Sequence, residues 1–147
     1  MVRRNAERRA ALVDAAIEVL AREGARGLTF RAVDSEAKVP GGTASNYFVN
    51  RDELLIQAAR RVYERLEPDP ATVERQLATA PTREAYTELM LEVVGRVSGF
   101  RTGYLALLEL RLEATRRPAL RTLLSERVRA DVDANVAYHE GSGLPGD

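Results

Sequence analysis

Apolar side chains recur three and four positions apart along almost the whole chain, and no stretch alternates with period two for long enough to make a strand. That pattern dictates an all-α fold. Val13, Ala16, Ile17 and Leu20 form the stripe of a helix over 5–22, which Gly24 and Gly27 end. Thr29 stands as N-cap of a short helix with Phe30, Val33 and Ala37 on one side. Pro40, Gly41 and Gly42 break the chain, and a very short polar helix runs from Thr43 to Phe48. Asn50 followed by Glu53 approximates a capping box and opens a long helix to Leu66, with Leu55, Ala58, Val62 and Leu66 on its core side. Pro68 and Pro70 make 67–71 a linker. A weak helical stretch over 71–79 precedes a helix opened by Pro81 and Thr82 that carries Tyr86, Leu89, Met90, Val93, Val94 and Val97, and Ser98-Gly99 interrupts it. Residues 101–116 are apolar almost all round, which predicts burial on several sides. A last helix over 118–139 places Leu120, Leu124, Val128, Val132 and Val136 four apart, and 141–147 is a loop.

With 147 residues the chain makes one domain or two small ones, and it needs no disulfide to hold a core. It has no cysteine and one histidine, His139, which excludes a zinc finger, a thiol nucleophile and any site needing two imidazoles. No cofactor or metal is expected. No apolar run approaches the ~20 residues that span a bilayer, so no membrane partner is expected. The basic start lacks the apolar segment of a secretory signal, so the default location is the cytoplasm. The net charge is zero, yet residues 1–51 carry nine basic groups (Arg3, Arg4, Arg8, Arg9, Arg22, Arg26, Arg31, Lys38, Arg51) against six acidic ones. A basic N-terminal third on a neutral protein points to a local anionic partner.

The informative region is 29–54: a short helix, a tight turn around Ala37, Lys38 and Val39, a second short helix, then a capped long one. This is the helix-turn-helix pattern. In the second short helix only Ala44 and Phe48 are suited to packing. Thr43, Ser45, Asn46 and Tyr47 offer hydroxyls and an amide, groups that suit base edges in a major groove. Gly41 and Gly42 let a backbone approach closely, and free N–H groups at this helix start would suit a phosphate.

The segments LTFRAV (28–33), EAKVPGGTASNYF (36–48) and NRDELL (50–55) resemble the DNA-binding domain of the TetR-type transcriptional regulators, a likeness that covers residues 8–66. YLALLELRLEATRRPALR (104–121) is similar to the effector domains of one actinobacterial subgroup. The resemblance implies a DNA-binding domain over 1–50 and a helical effector-binding domain over 51–147. It also implies a role as a ligand-responsive repressor that binds a palindromic double-stranded operator as a homodimer. By position, Arg31 matches a base-reading residue, and Thr43, Ser45 and Asn46 match recognition-helix residues. Tyr47 and Arg51 match phosphate contacts, Gly42 a close backbone approach, and Arg3 and Arg4 a basic arm. Two departures stand out. Lys38 occupies a turn position where the family has glycine, and it gains a possible phosphate contact there. The chain also ends before the family's last two helices, which form its dimer interface, so the effector domain is expected to be truncated.

Blander readings accompany these. Arg3, Arg4, Arg8 and Arg9 make an ordinary solvated helix start. Met90, Phe100, Tyr104 and Leu108 are either the lining of a small-molecule effector pocket or plain core. Glu109 and Glu113 share a helix face, where ion pairing with nearby arginines is favoured over an acid/base pair. His139 suits a helix C-terminus. The alternatives to a regulator are a truncated interaction protein without DNA-binding competence of its own and, more remotely, a small acid/base enzyme.

Overall fold

The computed structural model describes residues 2–145. These form eight helices and no strand: α1 Val2–Gly27, α2 Phe30–Glu36, α3 Thr43–Tyr47, α4 Arg51–Leu66, α5 Pro70–Ala78, α6 Arg83–Gly99, α7 Arg101–Ala114 and α8 Pro118–Ser142. No helix among the described residues is long and apolar enough to cross a membrane.

Local chemistry sets most boundaries. Thr29, Asn50 and Thr82 cap α2, α4 and α6, their side chains accepting the N–H of Ala32, Glu53 and Ala85. Asp69 caps α5 in the same way, with Pro70 in the first turn. The first helix is longer than its apolar stripe predicts. Gly24 kinks it (φ 70°, ψ −179°) without ending it, and the helical path resumes to Gly27. α8 likewise continues through Gly141 to Ser142, where Gly143 in the left-handed conformation closes it.

α1 is the central helix. α2, α4 and α7 pack round it, and α8 lies against α4 and α7. The buried core runs as one cluster from Leu12, Ile17 and Leu20 through Phe48, Leu54 and Leu55 to Leu107, Leu110 and Leu120. Phe48 and Leu55 are core, as expected. α7 departs from its expected all-round burial. Ala106, Leu107 and Leu110 face inward, but Tyr104, Leu108 and Leu112 are 44, 40 and 60% exposed. α6 buries no residue fully, and Val128, Val132 and Val136 of α8 stay exposed. An apolar circumference shows what a helix can cover, and the number of neighbours then decides how much is covered.

Candidate nucleic-acid interface

α3 has an inner and an outer face. Ala44 and Phe48 are buried, whereas Ser45 and Asn46 are exposed. The Asn46 amide makes no hydrogen bond within the described residues, so both its donors and its acceptor face solvent. Thr43 Oγ1 donates to the Pro40 carbonyl (2.6 Å) and Ser45 Oγ to the Gly42 carbonyl (2.8 Å). These are local bonds that orient the hydroxyls and leave oxygen lone pairs for an outside donor.

Both ends of α3 are tied to other helices. At its start, Asp34 of α2 accepts the Gly42 N–H (2.8 Å) and the Ala44 N–H (2.7 Å), and the Thr43 N–H goes to Pro40 O. The free donors expected at this helix start are therefore occupied by the protein itself, because a buried carboxylate reaches them first. At its end, Arg9 of α1 donates to the Tyr47 carbonyl (2.6 Å) and to Glu53 (2.6 Å), with its guanidinium over the Phe48 ring at 4.7 Å. Glu53 also accepts the Val49 N–H (2.7 Å). That bond, with Arg9 beside it, holds the Glu53 carboxyl below the usual carboxylate range. The Tyr47 hydroxyl donates to Asn5 at 2.7 Å on the exposed side. Asp34 and Arg9 are the functional residues that sequence reasoning missed. Their partners lie 8 to 44 residues away, and only the folded chain brings them together.

The arginines sort into two kinds. Arg31, Ser35 and Lys38 lie four and three positions apart on the exposed side of α2 and its turn, and neither Arg31 nor Lys38 has a partner among the described residues. Lys38 takes the left-handed conformation expected of a turn glycine (φ 55°), the one non-glycine to do so among the described residues. Arg51 is turned inward. It donates to the Leu28 carbonyl (3.1 Å) and to the Ala25 carbonyl, closing the end of α1. Gly42 is exposed at φ +90°, and a Cβ on Gly41 or Gly42 would meet nothing, so the surface there is open to a ligand. The side chains of Arg3 and Arg4 lie outside the described residues.

The four residues expected at an effector pocket stand at different places on α6 and α7 and their corner. Phe100 sits at the α6–α7 corner under the Arg65 guanidinium (3.7 Å) and against Gly103, where a Cβ would come within 2.3 Å of its ring. Met90 is half-buried, and Tyr104 and Leu108 face outward. A hollow of about 800 Å³ lies instead between α7 and α8, lined by Ala114, Leu124, Val128 and Val132 with Arg111, Arg121 and Arg129. Glu113 is buried and ion-paired with Arg117 (2.9 Å) and Arg116 (2.8 Å), bonds that hold its carboxyl below its ordinary range. Glu109 accepts the Ala25 N–H (3.1 Å) at the α1 kink. The two carboxylates thus do separate structural work. His139 lies in the last turn of α8, edge-on to Tyr86 at 6.3 Å.

Residues 12–58 match the family described as bacterial regulatory proteins, tetR family, and residues 81–147 match the tetracyclin repressor-like C-terminal domain. A nicotine-responsive transcriptional repressor, HdnoR, of Paenarthrobacter nicotinovorans is 38% identical over 60 residues, covering 41% of this chain and 31% of that protein. The regulator BetI of Rhizobium meliloti is 33% identical over 76 residues, covering 52% and 37%. The matched stretches thus span about a third of the length of these curated relatives. Among solved structures, the multidrug binding protein EbrR complexed with ethidium is 34% identical, with 95% of this chain and 77% of that chain covered at a TM-score of 0.66. A TetR-family member from Streptomyces coelicolor A3 is 36% identical, with 82% and 68% covered at 0.62.

Proposed function

The chain belongs to the TetR family of bacterial transcriptional regulators, and from that premise we propose that it is a ligand-responsive repressor that grips a palindromic operator as a homodimer. The observation that carries this reading is α3: Ser45 and Asn46 stand exposed on a helix whose other side is anchored by Ala44 and Phe48. In this reading residues 1–50 read DNA and 51–147 regulate. Asn46 and Arg31 choose the sequence, aided by Thr43 and Ser45. Lys38 and Tyr47 hold phosphates, Gly42 lets the main chain come close, and Arg3 and Arg4 serve as a basic arm. Two such readers must sit about one helical turn apart, ~34 Å, or a multiple of it. The exposed stripes of α7 and α8 are in keeping with pairing, since apolar patches of this kind mark contact surfaces. A repressor acts at the chromosome, in the cytoplasm.

The effector is a small, apolar molecule, as the walls of the α7–α8 hollow suggest, and three arginines around that hollow disfavour a cation there. HdnoR is nicotine-responsive and EbrR is a multidrug binding protein seen with ethidium, and these relatives support control of this kind. The response has a physical route. Ala25 donates its N–H to Glu109 of α7, and its carbonyl accepts from Arg51 of α4, so a shift of either helix pulls on the joint leading into α2. An effector that favours one spacing of the readers over the other then releases DNA.

Selection of bound duplexes from a random pool tests the reading. A two-fold symmetric consensus is expected, together with a dimer on a sizing column. A pool without consensus and a monomer that binds all DNA weakly would favour an interaction protein with no DNA-reading competence of its own.

A further inference from the structure

The turn that carries α3 conceals a buried carboxylate. Asp34 is 3% exposed, and no cation pairs with it among the described residues. Its charge is answered by amides alone, Gly42 N–H on one oxygen (2.8 Å) and Ala44 N–H on the other (2.7 Å), at the positive end of α3. A buried charge of this kind persists only where its donors are held in place, so carboxylate and helix start fix one another.

We infer that Asp34 is a positioning residue that sets the angle and depth at which α3 enters the major groove, and so governs sequence choice without touching a base. The inference rests on the DNA-reading function proposed above. α3 has five residues, too few to hold itself as a helix. Phe48 in the core and Arg9 on the Tyr47 carbonyl restrain its far end. Its near end follows Gly41 and Gly42, where no side chain packs, and the strained Lys38. Ala44 packs into the core there, and among the described residues Asp34 alone makes the side-chain hydrogen bonds that tie that end to a neighbouring helix. Without it the start of α3 is left to turn on its Ala44 and Phe48 contacts, and Thr43, Ser45 and Asn46 shift with it from their base edges. The same carboxylate keeps the helix start from serving as a phosphate seat, so register falls to other contacts.

The test uses the full chain, with its selected duplex and a scrambled duplex of equal length, comparing wild type with Asp34→Asn. Asparagine keeps the shape and one acceptor but turns an NH2 group against the second amide. The preferred-to-scrambled affinity ratio is expected to fall about tenfold or more, with scrambled affinity and its salt slope unchanged and faster hydrogen exchange at Gly42 and Ala44. Asp34→Ser, which retains one acceptor, serves if the first variant is unfolded. A folded variant with the wild-type ratio, or an equal loss on both duplexes, overturns the positioning role. So do two unfolded variants, which would make Asp34 a residue of the fold alone. Wild type that selects no duplex defeats the DNA reading itself, a distinguishable result.

Discussion

α4 and α6 are of similar length, and both carry apolar residues at helical spacing, yet they end in opposite conditions. α4 buries Leu54, Leu55, Ala58, Ala59 and Val62, whereas α6 buries none and leaves Leu91 and Val94 65 and 60% exposed. The difference is one of neighbours. α4 is enclosed by α1, α7 and α8, while α6 meets chiefly α7. α4 is therefore held by burial against three helices, and α6, beyond the linker, is held more loosely, as its low burial implies.

The widest test of that contrast sets Phe48→Ala against Leu91→Ala. Removing the Phe48 ring is expected to lower unfolding stability by about 3–5 kcal/mol, and truncating Leu91 by less than about 0.5 kcal/mol. Similar losses in chemical denaturation would erase the distinction. Arg51→Ala should come next. It strips two carbonyls at the end of α1 of their donor and should cost about 1–3 kcal/mol, with an unchanged salt dependence of DNA binding. A slope lowered by about one unit would restore Arg51 as a phosphate contact. Lys38→Gly works in the other direction: relief of the left-handed backbone should raise the thermal midpoint, by about 1 kcal/mol of stability.

The smallest effect is acid sensitivity. Burial works against the Asp14 charge, but the paired bonds from Arg61 (2.9 Å each), with Arg65 nearby, hold its carboxyl below the ordinary value. Arg117, then Arg116, do the same for Glu113. A depressed carboxyl stabilises fully above its unfolded value, near pH 4, and loses that contribution as pH falls through its folded value. The thermal midpoint should hold steady from pH 7 to about 5 and drop below about 4, less steeply in Asp14→Asn. A decline already complete near pH 6 would point to other groups.

Much of this architecture was legible because it is local. Caps at Thr29, Asn50 and Thr82 act within three residues, and the turn at Lys38 is set by its own backbone. Arg9, Arg31 and Arg51 look alike in sequence yet differ in fate. A guanidinium that seeks a carbonyl 26 residues upstream cannot be told from one left unpartnered at the surface until the chain is folded. The same holds for Asp34, whose partners lie across the turn.

The central claim is that α3 reads base edges, and Asn46 tests it most directly. Affinities of wild type and Asn46→Ala should be measured across duplexes that vary one operator position at a time. The account predicts that discrimination falls by about 1–3 kcal/mol at a single base pair, while binding to unrelated DNA stays the same. A uniform weakening on every duplex, with the base preference intact, would contradict it.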